Sequence, residues 1–418
     1  MTQLRNVNIQ SQDSFSIDAF GRWRVSNPIT LFDSKNIFDD DGLAASVENQ
    51  PLFWDNAEIS GGSTSTAYEA NESTQTISVA LNTAGVRARQ TKMRFNYQPG
   101  KSHLAIVTFN LESLDSGVTK CVGYFDEKNG IFLEGDGSSM SFVRRTYTSG
   151  SAVDNSVAQA SWNIDTMDGS GTSGITLDFT TTQILFIDME WLGVGRVRAG
   201  FVIDGKIYYA HEFLNTNSLT IPYMQTPNLP IRYEIENDGT GAASTLNCIC
   251  STVISEGGSS DLGVTRYAST STHVDADAAA TTYAVVGIKL KSEYIGATIN
   301  ILSVSLIEVA SSKDLEWVLY LNPTVAGTFT YADETNSAVQ TAKGATANTV
   351  TGGTRLSGGF FNSDRGGVAG NVNEGIPSAL TLGSTISGTV DEIVLCVKNL
   401  TGVTNSDVYG SLTWRELV

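Results

Sequence analysis

Short runs that alternate apolar and polar residues, each closed by a glycine turn, recur along this chain and leave little room for helices. Thr76-Ile77-Ser78-Val79-Ala80-Leu81 has the period of two of a half-buried strand. Thr91-Lys92-Met93-Arg94-Phe95-Asn96-Tyr97 has it too, up to Pro99-Gly100. Asn129-Gly130 lies between the strand-like runs 121–125 and 130–133 and predicts a hairpin, since both residues tolerate positive φ. Asp136-Gly137, Asp204-Gly205 and Asp238-Gly239 repeat the device. The clearest pair of strands is 195–203 and 206–213 around Asp204-Gly205, preceded by the apolar run 184–191. Thr, Val, Ile and aromatics supply the apolar content, and these suit a pleated surface. The fold class expected is all-β.

A chain of 418 residues is long enough for two sandwich-sized cores. Glu256-Gly257-Gly258-Ser259-Ser260 breaks the strand pattern. The organisation expected is therefore an extended N-terminal arm over 1–50, a jelly-roll-like β-sandwich over 51–258 and a second β-sandwich over 259–418. The arm holds isolated aromatics around Arg22-Trp23-Arg24, without sustained periodicity. It reads either as a segment that docks on a neighbour by strand addition or as a leading strand folded back on its own sandwich.

A net charge of −18 repels phosphate backbones and anionic lipid, so no nucleic-acid partner is expected. No apolar stretch of about 18 residues is present, so no membrane insertion is expected. Without an apolar leader at Met1-Thr2-Gln3-Leu4, assembly in a cytoplasm is expected. Four cysteines are too few for a disulfide framework. Cys248 and Cys250, one residue apart, are expected on the same face of a strand as small buried apolar groups. Asp39-Asp40-Asp41 and Asp275-Ala276-Asp277 lack the spacing of a calcium loop, so no metal and no cofactor is expected.

The sequence contains no H-E-x-x-H, no G-x-S-x-G and no complete G-x-x-x-x-G-K-[ST] loop, which points away from an enzyme. Carboxylate-pair catalysis stays open at one place. Asp188 and Glu190 alternate onto one face of an expected strand, beside Trp191, with Arg196 and Arg198 able to pair with them. Trp54, Tyr208, Tyr209 and Tyr223 are candidates for a sugar-stacking platform.

Three stretches resemble a group of virion structural proteins of tailed bacteriophages. They are Phe20-Gly21-Arg22-Trp23-Arg24-Val25-Ser26-Asn27-Pro28 with Leu31-Phe32-Asp33, then Glu190-Trp191-Leu192-Gly193-Val194-Gly195-Arg196-Val197-Arg198, then Pro227-Asn228-Leu229-Pro230-Ile231-Arg232-Tyr233-Glu234. The resemblance implies a non-enzymatic jelly-roll-like body in a virion, associated with the tail, a fibre or the head surface. Arg22, Trp23, Arg24 and Phe32 are the residues expected to dock the arm on other virion proteins. A homo-oligomer is expected because sandwich edges need cover. The alternative is a glycan-binding module for host adsorption, and after it a jelly-roll glycosidase.

Overall fold

The computed structural model describes residues 16–17, 23–24, 28–37, 52–137, 139–260, 262–310, 314–362, 368–371, 382–401 and 405–417. Among them regular structure is strand throughout, apart from two single turns of 3-10 helix. The chain is all-β, as its alternation requires. It divides into two compact units, Met1–Thr91 with Tyr97–Ser260 and Lys92–Asn96 with Asp261–Val418.

The first unit is a sandwich of two antiparallel sheets. One runs β12 (Val153–Ala158), β11 (Ser139–Thr146), β10 (Gly130–Asp136), β9 (Val118–Phe125), β16 (Ile231–Asn237), β7 (Gly85–Thr91) and β4 (Trp54–Gly61). The other runs β15 (Lys206–Phe213), β14 (Val197–Ile203), β13 (Gln183–Met189), β8 (His103–Asn110), β17 (Ser244–Ser255), β6 (Thr74–Val79) and β5 (Thr64–Glu69). An eighth strand, β3 (Ile29–Lys35), lies on the second half of β17, while β6 lies on the first half. A two-stranded ribbon, β1 (Ser16–Ile17) with β2 (Trp23–Arg24), completes the described part.

Alternation sorts each strand into an inner and an outer face. Val122, Tyr124, Ile131, Leu133, Phe142 and Tyr233 turn inward from the seven-stranded sheet and are buried. Val107, Phe109, Leu185, Ile187 and Phe201 meet them from the eight-stranded sheet. Phe142 bridges the layers, with its ring centroid 4.6 Å from Trp162 and 6.1 Å from Phe201. The Tyr233 hydroxyl is within donating distance of two carbonyls of the other sheet, Thr108 O at 3.2 Å and Cys250 O at 3.3 Å.

In the second unit a five-stranded sheet orders Val264–Ser269, Asp407–Leu417, Thr298–Glu308 and Val368–Asn371, with Val274–Asp275 also on the second of these. A six-stranded sheet orders Ala332–Asp333, Val339–Lys343, Thr282–Leu290, Glu392–Asn399, Asp314–Leu321 and Thr354–Asn362. The sheets approach closely at Gly410, where an added Cβ would lie 2.6 Å from the Val285 side chain. Buried Glu416 ties strand to loop, accepting from Trp414 Nε1 at 2.8 Å, Ala338 N at 3.1 Å and the Ser337 hydroxyl.

Several expectations are corrected in local detail. The run 91–97 is not one strand, because β7 stops at Thr91 and Lys92–Asn96 belongs to the second unit. There Lys92 O accepts from Ser384 N at 2.9 Å, and Arg94 Nη1 donates to Ser384 Oγ at 3.0 Å. Cys248 and Cys250 do not share a face. A β-bulge between them sets Cys248 against Phe109 and Cys250 against Thr108, so the first is buried and the second exposed. The 121–133 hairpin forms, but Asp126 Oδ1 makes its turn by accepting from Lys128 N at 2.9 Å and Asn129 N at 2.8 Å. The Asp204-Gly205 turn is as expected, with φ of 50° and 75°.

Over 29–35 the arm takes the second of its two readings, a strand folded back on its own sandwich. Phe32, expected to dock on a partner, is 3% exposed and packs edge-on against Trp54 at 6.0 Å and Phe53 at 6.2 Å. The apolar ring is already spent on the core. Arg22 and most of the arm lie outside the described residues. Phe32→Ala is expected to lower the unfolding free energy by about 3–5 kcal/mol in urea denaturation. An unchanged midpoint would return Phe32 to the docking role.

Candidate functional site

The face of the seven-stranded sheet that points away from the core has an order set by strand register. Ala158 stands opposite Ser141, Ser141 opposite Glu134 and Glu134 opposite Cys121. Cys121 then faces Glu234, Glu234 faces Ala88, and Ala88 faces Ala57. One row thus crosses all seven strands, and every member is small except the two glutamates. Their Cα atoms are two strand spacings apart, about 9.5 Å. Both side chains are half-buried, that of Glu234 at 16% exposure.

The adjoining row reads Ser156, Val143, Phe132, Gly123, Arg232, Gln90 and Asp55. Gly123 is required there, since a Cβ would lie 2.6 Å from Ile131 O. Phe125 and Phe132 stack with centroids 4.3 Å apart and, with Cys121 and Val143, make a buried apolar floor. Arg145 lies over Phe132 at 4.9 Å. It grips Asp154 through two bonds of 2.8 Å each. Arg232 donates Nε to Glu234 Oε2 at 2.9 Å, adds a second bond from Nη2, and gives Nη1 to Gln90 Oε1 at 2.7 Å. The Arg145–Asp154 pair engages both carboxylate oxygens, a geometrically specific fork, while both Arg232 bonds to Glu234 end on Oε2.

The two glutamates have opposite surroundings. Burial raises the Glu134 pKa above the usual carboxylate range, helped by the negative charges of Asp154, Asp136 and Glu234 and opposed by Arg145. Glu234 is clamped by the Arg232 guanidinium. Burial also raises Glu236, with Glu234 and Asp238 adding to it. Burial pushes the Cys121 thiol well up, which keeps it neutral between the carboxyls. The two carboxyls therefore differ in environment, one raised by burial and the other clamped by a guanidinium.

The residues singled out in the sequence stand elsewhere. Asp188 is 4% exposed and paired with Arg198, whose guanidinium covers Tyr209 at 4.4 Å. Glu190 is fully buried beyond the end of β13, where its charge bears on the Tyr97 and Tyr223 phenols. The catalytic reading of this pair is corrected, because neither carboxylate is open to a substrate. Arg196 pairs instead with Glu212 at 3.6 Å. The stacking platform does not form either, since Trp54 and Tyr223 are each 2% exposed and Tyr209 meets Phe186 edge-on at 5.1 Å.

One group of described residues has the geometry to hold a metal ion. His273 Nε2 is 3.1 Å from Asp275 Oδ1 and 3.8 Å from Asp407 Oδ1, and all three side chains are partly exposed. These atoms already pair with one another. Asp277, grouped with Asp275 in the sequence, instead accepts from Ser406 N at 2.7 Å. Asp39-Asp40-Asp41 lies outside the described residues.

Glu134 and Glu234 escaped the sequence reading because catalytic motifs are local and these residues lie far apart in the chain. The available signal was an acid interrupting an apolar strand, in Ile131-Phe132-Leu133-Glu134 and Ile231-Arg232-Tyr233-Glu234-Ile235.

No protein family and no curated protein matches the chain in sequence. Solved structures do match in shape. The carbohydrate recognition domain of Emp47p matches at 8% identity and a TM-score of 0.33, over 55% of this chain and 97% of that one. A glycoside hydrolase family protein from Mycobacterium thermorestibile matches at 12% and 0.37, over 53% and 99%. The carbohydrate esterase vb_24B_21 from the Shiga toxin-encoding bacteriophage phi24B matches at 9% and 0.28, over 55% and 100%. Likenesses this weak carry no argument for what this chain does. The expectation that it is not an enzyme is nevertheless corrected. Glycoside hydrolases and a β-1,3-glucanase stand among the matching structures.

Glu134 generates a pH prediction. A carboxyl whose folded pKa is raised contributes most to stability when protonated and loses that contribution as pH rises through the folded pKa. Glu134→Gln is therefore expected to stabilise the protein relative to wild type at about pH 8, and less so at about pH 4, in urea melts. A difference that stays flat with pH would show that Glu134 is not strained by burial.

Proposed function

We propose that the first unit is a glycan-binding domain, and that a neutral glycan lies along the small-residue row on the outer face of the seven-stranded sheet. The observation that carries this reading is the row itself. Ala158, Ser141, Cys121, Ala88 and Ala57 are small, so Glu134 and Glu234 are the only long side chains of the row, and Cys121 and Ala88 are buried on either side of Glu234. Six strand spacings give the row a length of about 29 Å. Carboxyl oxygens and guanidinium hydrogens along it are the groups that bind hydroxyls.

Charge selects the class of glycan. Arg145 is matched by Asp154 and Arg232 by Glu234, while burial raises the pKa of Glu134 and of Glu236. The face therefore offers no excess cation to an anionic sugar. Phe125 and Phe132 lie in the buried floor, so recognition rests on hydrogen bonds to hydroxyls and not on ring stacking. The resemblance to virion proteins of tailed phages gives the domain a setting, a particle surface that meets a host glycan. Peptides of this chain in purified particles would support that setting, and their absence would remove it.

Calorimetric titration with neutral gluco-, manno- and galacto-hexaoses tests the reading. At least one is expected to bind, and Ser141→Trp, which obstructs the row at a half-buried position, is expected to weaken it about tenfold or more. Failure of all the hexaoses to bind, or equal affinity for Ser141→Trp with its fold intact, would count against this face.

A further inference from the structure

We propose that the second unit carries a zinc site formed by His273, Asp275 and Asp407 on the outer face of its five-stranded sheet. Strand pairing brings the three together. Asp275 is the register partner of Asp407, and Val274 of Val408, so both carboxylates lie on one face of neighbouring strands. That face is the outer one, because the strand Asp407–Leu417 buries Val408 and every second residue after it. His273 comes one residue before Val274 and so returns to the face of Asp275. Its ring meets Tyr409 edge-on at 6.1 Å, a contact that limits how the imidazole can turn.

Two separate observations point to a cation. The first is charge. Like charges directly opposite on paired strands weaken the pairing. Here two carboxylates are directly opposite, and among the described residues no Lys or Arg pairs with either. On the far side of Asp407 the neighbour is Val309, whose N–H donates to Asp407 O at 3.0 Å and brings no charge. The second is donor geometry. His273 Nε2 lies 3.1 Å from Asp275 Oδ1 and 3.8 Å from Asp407 Oδ1, and the three ligand atoms all lie within 4.8 Å of one another. Tetrahedral zinc with bonds of about 2.1 Å sets its ligands about 3.4 Å apart, between the two separations from the imidazole. An imidazole in the donor set suits zinc, whereas calcium asks for about six to eight oxygens. Three protein ligands leave the fourth position to water, and the partial exposure of all three side chains admits it. The ion fastens the two-residue strand Val274–Asp275 to the strand Asp407–Leu417.

The test uses the full chain without an affinity tag, and zinc chloride is the probe. Calorimetric titration is expected to show about one zinc ion per chain, and zinc is expected to raise the thermal midpoint. His273→Ala and Asp407→Asn are each expected to weaken binding about tenfold or more and to lose the midpoint shift. Calcium and magnesium chloride at the same concentration are expected to leave the wild-type midpoint unmoved. No zinc binding by wild type, or wild-type affinity in either folded variant, overturns the site. Tighter binding of calcium than of zinc overturns the choice of metal. If one variant misfolds by circular dichroism, the other still decides, because each ligand is required.

Discussion

The contact on which both faces of the seven-stranded sheet depend is the reach of the Tyr233 phenol across the sandwich. Its hydroxyl lies between Thr108 O and Cys250 O on neighbouring strands of the opposite sheet. That meeting point sits where β17 bulges between Cys248 and Cys250. Tyr233 is fully interior, and its neighbours along β16 are Arg232 and Glu234. Because successive residues of a strand point to opposite faces, pinning Tyr233 inward fixes the two flanking side chains outward. The core thereby orients a charged pair that it never touches, and a slip of one residue in β16 would exchange the phenol for charged groups inside.

The same ingredients give different outcomes on the two sheets. On the eight-stranded sheet Asp188 and Arg198 pair closely, and the guanidinium is stacked over Tyr209, so the carboxylate is closed off. On the seven-stranded sheet Arg232 shares its hydrogens between Glu234 and Gln90 beside a row of small residues. Glutamate is one methylene longer than aspartate, and its neighbours across the row are Cys121 and Ala88, where Asp188 has Arg198 and Leu104. The difference between a structural ion pair and a candidate site therefore lies in the surroundings and not in the charges.

The parts of the architecture legible from sequence were those set by local chemistry. Alternation located β6, the apolar run 184–191 located β13, and Asp204-Gly205 located the turn between β14 and β15 because its positive φ values are set by the two residues themselves. What escaped depends on distant partners. The bulge that separates Cys248 from Cys250 arises from pairing with β8. The run 91–97 kept strand-like alternation, yet its residues beyond Thr91 take their partners from Ser384 onward. The candidate site escaped for the same reason, since Glu134 and Glu234 become neighbours only through the register of each with Cys121. Asp188 and Glu190 drew attention because they are close in sequence, although burial disqualifies them.

The membership of Lys92–Asn96 in the second unit has a consequence for the order in which the protein is made. These five residues leave the ribosome well before Ser384, with which Lys92 and Arg94 form hydrogen bonds. They must wait as a loop between β7 and β8 while the first sandwich closes around both of its ends. Completion of the second unit thus waits until every strand of the first sandwich has been made.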